Sequence, residues 1–82
     1  MNKTLFEVTK SVLENNNEGC TVYGIKAFAL DANNKITLDE VLDVSSDLEF
    51  VKQLVEKFNH FDLHIEHFRD TLYDCICAEY SL

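Results

Sequence analysis

The chain has 82 residues, 46% hydrophobic and 27% charged, which suits one folded domain over residues 1–82 with a single small core and is too apolar for a disordered chain. Its formal charge is −8, from 15 acids against 7 bases. With no Lys/Arg cluster to neutralise phosphates, neither nucleic acid nor an anionic membrane surface is an expected partner.

Cys20, Cys75 and Cys77 are an odd number and give no closed disulfide framework. Cys75 and Cys77 would lie about 200° apart on a helix and do not bridge readily. No basic-then-apolar segment follows Met1, and no apolar run approaches about 18 residues. The expected location is therefore a reducing cytoplasm.

In residues 4–13, Phe6, Val8 and Val12 alternate, with Lys10 as the exception. Leu5, Val8, Val12 and Leu13 also fit a helix, but the valines and the hydroxyls of Thr4, Thr9 and Ser11 favour a strand. Asn15-Asn16-Asn17-Glu18-Gly19 is a turn. Residues 21–30 form the best strand, with Val22, Tyr23, Ile25, Phe28 and Leu30. Gly24 inside it signals a bulge or a close backbone approach. A second turn covers residues 31–34, where Asn33-Asn34 suits a tight hairpin. Residues 35–44 make a third strand, with Ile36, Leu38, Leu42 and Val44 on one face and Thr37, Asp39, Val41 and Asp43 on the other. Glu40 is a misfit on the apolar face and marks a bulge or a frayed centre. Lys10, Lys35, Asp39 and Asp43 would discourage edge-to-edge pairing.

Near Ser45 the apolar period changes from alternation to every three or four residues. Ser46-Asp47-Leu48-Glu49 reads as a capping box. Leu48, Val51, Leu54, Val55 and Phe58 then fall on one helical stripe. Asn59 is the expected residue just past the helix. A short connection over residues 59–62 predicts two antiparallel helices, the second capped by Asp62 or His64. Its stripe is Ile65, Phe68, Leu72, Cys75 and Ile76, and the helix or its burial ends by Ala78. The predicted fold is α+β: a three-stranded antiparallel β-meander followed by an antiparallel helix pair packed on one face, in the order β-β-β-α-α.

His64 and His67 form an i, i+3 pair, and with His60 from the turn and Glu66 nearby a zinc site can be drawn. Glu66, however, points about 100° away from His67, and no Cys pair has metal-ligand spacing. No metal or cofactor is therefore expected. A Cys–His nucleophile is disfavoured because His67 lies about 80° round the helix from Cys75. Ser45 and Ser46 suit capping, and no phosphate-binding or nucleophile motif is present. No enzymatic activity is expected.

Glu66, Asp70 and Asp74 form an acidic row at i, i+4 and i+8. It reads either as a solvated face, partly compensated by Arg69 and His67, or as a docking surface for a basic partner. Tyr73 and Tyr80 lie at one rim of the second stripe and Phe50 at the far rim of the first; such aromatics lean over a small core or anchor an interface.

Tyr23-Gly24-Ile25 after a polar turn, Val44-Ser45 before a capped helix, Phe58-Asn59, and Leu63 to His67 followed by Asp70 and Asp74 resemble the pattern of an uncharacterised family of short proteins from Gram-positive bacteria. Where that family prefers Pro near the start of the last helix, this chain has Ile65. The resemblance spans most of residues 20–76 and implies the same order of elements and a bacterial cytoplasmic origin, with no activity to carry over.

The residues together point to a non-enzymatic, cytoplasmic protein-interaction or regulatory module that binds a protein partner or a second copy of itself. Phe50, Tyr73 and Tyr80 would anchor the contact, and Glu66, Asp70 and Asp74 would steer it. The alternative is a small metal-responsive binder using His60, His64 and His67.

Overall fold

The structure is a computed structural model and describes residues 3–15 and 18–80. Strands β1 (Thr4–Asn15), β2 (Glu18–Asp31) and β3 (Asn34–Ser45) form one antiparallel sheet in the order β1-β2-β3. Helices α1 (Leu48–His60) and α2 (Ile65–Tyr80) follow. The architecture is the expected β-β-β-α-α, and the ambiguous first segment is a strand.

All three strands run longer than the alternation indicates. Asn16 and Asn17 of the first turn lie outside the described residues; Glu18 and Gly19 already pair with Asn15 and Glu14. In the second turn Asp31 pairs with Asn34. The central residues are therefore Ala32 and Asn33, with φ of 49° and 72°, one position earlier than the Asn33-Asn34 expected. Two successive positive φ angles give the turn whose twist matches that of the strands.

The core lies between the sheet and the helices. Phe6, Ile25, Ala27 and Val44 of the sheet meet Val51, Leu54, Val55 and Phe58 of α1 and Phe68 and Leu72 of α2. Three rings, each from a different element, meet there. Phe6 lies 5.5 Å from Phe58 and 5.3 Å from Phe68, and Phe58 lies 6.2 Å edge-on from Phe68.

Strand β3 departs from simple alternation. Val41 packs against the core and Asp39 reaches a side chain of α2, while Ile36, Leu38 and Leu42 are exposed. The expected common face of Ile36, Leu38, Leu42 and Val44 is thus broken: Ile36, opposite Ala29, keeps the helix side but is exposed, Val44 is buried in the core, and Leu38 and Leu42 leave that face. The register shifts twice, between Ala27 and Phe28 and between Tyr23 and Ile25. Asp39 pairs with Ala27 and Thr37 with Phe28, which leaves Leu38 as an extra residue. An inserted residue reverses which side chains face the core. Glu40, the misfit, pairs with Lys26 between the two shifts, on the face away from the helices.

The cap of α1 is Asp47, one residue after the expected Ser46. Its Oδ1 accepts from the amides of Glu49 (3.1 Å) and Phe50 (3.4 Å), and Ser45 Oγ accepts from the Asp47 amide at 3.0 Å. At the other end Asp62 takes the left-handed conformation, with φ of 52°. The Asp62 amide donates to the Asn59 carbonyl and the Leu63 amide to the Phe58 carbonyl. This paired pattern closes a helix and carries Leu63 back onto the core. Asp62 therefore ends α1 rather than capping α2, which begins directly after His64.

Asn59, expected just beyond α1, lies within its last turn and has another task. Its Oδ1 accepts from the Phe6 amide at 2.9 Å, and its Nδ2 donates to the Phe6 carbonyl at 3.0 Å. One side-chain amide thus imitates a neighbouring strand on the outer edge of β1. Removing it strands a donor and an acceptor in a part-buried place, at about 2 kcal/mol. Asn59→Ala should lower the thermal midpoint by roughly 10 °C. Asn59→Asp should cost no less, because a carboxylate oxygen then faces the Phe6 carbonyl; thermal denaturation followed by circular dichroism checks both.

Candidate functional site

Phe68 and Leu72 are fully buried and fix the rotation of α2. Glu66 and Asp70 lie about 200° round the helix from Phe68, and Asp74 about 200° from Leu72. All three acids are exposed on the outer face. Like charges at i, i+4 spacing cost a few tenths of a kcal/mol per pair. No basic residue occupies the last turn to offset the helix dipole.

The expected partial compensation by Arg69 is absent from this row. Arg69 forks onto Asp39 of β3, Nε to Oδ2 at 2.8 Å and Nη2 to Oδ1 at 2.8 Å, and its Nη1 reaches the Tyr73 hydroxyl at 3.4 Å. The bulge at Leu38 places Asp39 on the helix side to receive it. Among the described residues, no ion pair is made by Glu66, Asp70 or Asp74. The row is therefore a bare anionic strip, with Tyr73 beside it, 47% exposed and tethered through Arg69.

The Asp39 carboxyl is held below the usual carboxylate range, first by the hydrogen bonds from Arg69, against partial burial, and with help from the Glu40 amide. Arg69 is correspondingly held protonated beyond its ordinary range. A lowered folded-state value means that the native state favours the ionised acid. The stabilisation is complete above the unfolded value near pH 4 (about 3.9 for Asp) and disappears as pH falls through the folded value below it. Wild type should therefore be more stable than Asp39→Asn at neutral pH, and the gap should close as the pH falls below the unfolded value and through the lowered folded one. Urea midpoints of the two proteins across that range check this.

The other expected anchors fare differently. Phe50 is half-buried against the core, so only part of its ring is available. The side chain of Tyr80 lies outside the described residues. His60, His64 and His67 are all exposed, and His60 stacks edge-on against Phe61 at 4.9 Å. Among the described residues, no three His, Cys, Asp or Glu side chains come together to hold a metal ion. Cys75 sits half-buried against the core, and Cys20 and Cys77 are exposed. Among the described residues no helix is long and apolar enough to cross a membrane.

Two features escaped the sequence reading. Asp39 was assigned to the opposite face because the misfit at Glu40 signals a bulge without showing which residue is inserted. Phe61 is a well-exposed aromatic at the end of α1; it lies off both stripes, and only its position after the last helical turn marks it. No protein-family model matches this chain, no curated protein matches it, and no solved structure matches it.

Proposed function

We propose that this chain is a non-enzymatic, cytoplasmic interaction module that holds a basic protein partner on the outer face of α2. The observation that carries this reading is the bare acidic strip. Glu66, Asp70 and Asp74 repel one another along a helix whose one arginine is engaged by Asp39 on the sheet. A cationic surface laid on the strip would relieve that repulsion and gain charge-assisted contacts. Tyr73 supplies an amphipathic ring at its border, of the kind that anchors interfaces.

Capture from the native host's lysate tests the reading with its own control. Wild type should retain a basic protein whose retention falls steeply with added salt. The triple variant Glu66→Gln, Asp70→Asn, Asp74→Asn should lose it, while folding at least as stably because the row no longer repels itself. Equal retention by both proteins, or no specific retention by wild type, would refute the reading.

A further inference from the structure

The sheet has two faces, and the helices cover one. We infer that the other face is the contact between two copies of this chain, packed sheet against sheet with the helices outward. The inference deepens the interaction-module reading by naming a partner, but it stands on a different surface.

Shape comes first. The chain exposes 5863 Å², whereas a compact protein of 9.5 kDa should expose about 5,050 Å². The excess, about 800 Å² over the whole chain, is of the size that one partner covers in a standard interface. The radius of gyration is 13.7 Å against about 11.7 Å for a compact chain of this length. The smallest dimension is 18 Å, enough for one sheet and one layer of helices. Two sheets face to face need only about 10 Å between them.

Chemistry comes second. Register places Leu5, Phe28 and Leu30 side by side on the uncovered face, with Leu30 51% exposed. The same register places Glu7, Lys26, Lys35 and Glu40 there, two acids and two bases. They are mutually paired: Lys26 lies cross-strand from both acids, and Lys35 reaches Glu7 at 2.6 Å while its ammonium lies 4.3 Å from the Phe28 ring centre. Two copies of a chain with charge −8 repel through any acidic surface, α2 above all. This locally neutral, partly apolar face lets them meet without that repulsion.

The edges come third. Asn59 occupies the outer edge of β1 at Phe6, and β3 is bulged at two places. Both devices disfavour lengthening the sheet by strand addition. Face-to-face packing is the route left open.

Light scattering after size exclusion should give about 19 kDa, twice the chain mass of 9.5 kDa, at micromolar concentration. Added salt should preserve the dimer, because it screens the net repulsion. Leu30→Asp, at an exposed position, should keep the circular dichroism of the wild type and run as a monomer. In wild type, acylation of Lys26 should slow as concentration rises, while that of Lys57 on α1 should not. A monomer at every concentration overturns the inference. So does a dimer that survives Leu30→Asp with Lys26 still reactive, the signature of another surface or of strand addition. A monomer that still holds a basic protein through α2 defeats this inference and leaves the function proposed above intact; a dimer that holds none does the reverse.

Discussion

Gly24→Ala should destabilise the protein by about 3 kcal/mol, the largest effect expected from adding a single methyl group. A Cβ at Gly24 would stand 2.2 Å from the Val41 carbonyl oxygen, 2.6 Å from that of Leu42 and 2.7 Å from the Leu42 carbonyl carbon. All three atoms are backbone, so no side chain can swing away. Strand β3 would have to lift by more than 1 Å to restore the ordinary contact of 3.4 Å or more. The second register shift, which sets Tyr23 opposite Ser45 and Ile25 opposite Val41, depends on that close passage. Removing a glycine also restrains the unfolded chain, a gain of about 0.4–1 kcal/mol, too small to offset the clash. Gly19→Ala separates the two effects. There the new methyl would lie 3.6 Å from Val12 Cγ1, an ordinary contact, so only the gain remains and stability should hold or rise slightly. In thermal unfolding, Gly24→Ala should fall by roughly 12–24 °C while Gly19→Ala stays near wild type. Similar midpoints for the two variants would refute the argument.

Gly24 also shows where sequence reasoning succeeds. A glycine inside a strongly apolar strand has a short list of physical causes, and close passage of another backbone is the one realised. The change of period near Ser45 was legible for a related reason: a helix buries a stripe and a strand a face, and each leaves a repeat in the sequence. Pairing register leaves no such repeat. The extra residue at Leu38 moves Asp39 and Val41 to the helix side; the misfit at Glu40 marks a bulge nearby, but not which residue is inserted. The same blindness hid the destination of Arg69. On α2 alone it sits among acids and looks like their counterion; only the fold of β3 brings Asp39 to it. Asn59 was legible as a helix-end residue, but its pairing with Phe6 spans 53 positions and depends on how α1 lies along β1.

These two unseen contacts and the bulges share a consequence. Asp39 takes the arginine away from α2, Asn59 closes part of the β1 edge, and the bulges blunt the β3 edge. Long-range polar contacts are thus spent on the sheet edges and on docking α2. The outer face of α2 is left acidic and the uncovered sheet face neutral. Surfaces so different in charge suit different partners.

Phe68→Ala is expected to cost about 4 kcal/mol, against a total stability of about 4–12 kcal/mol for a chain of this length. Phe68 is fully buried and touches both Phe6 of β1 and Phe58 of α1. Truncation leaves a cavity where three elements meet and forfeits two ring–ring contacts. Helix α2 has little in reserve. Its acidic row opposes helix formation, its last turn lacks a basic residue, and 16 residues are marginal for a helix standing alone. Leu72, the partly buried Ile65, Cys75 and Ile76, and the Arg69–Asp39 fork are the ties that remain; none of the three partly buried residues fills the place of a ring, and an exposed ion pair contributes little. The expected loss is therefore uneven. Hydrogen exchange should show the amides of α2 losing protection more than those of β2 or α1, and the dependence of unfolding on denaturant should become shallower because less surface remains to be exposed. Uniform loss of protection across the sheet and both helices would instead mean that α2 is an equal partner in the core.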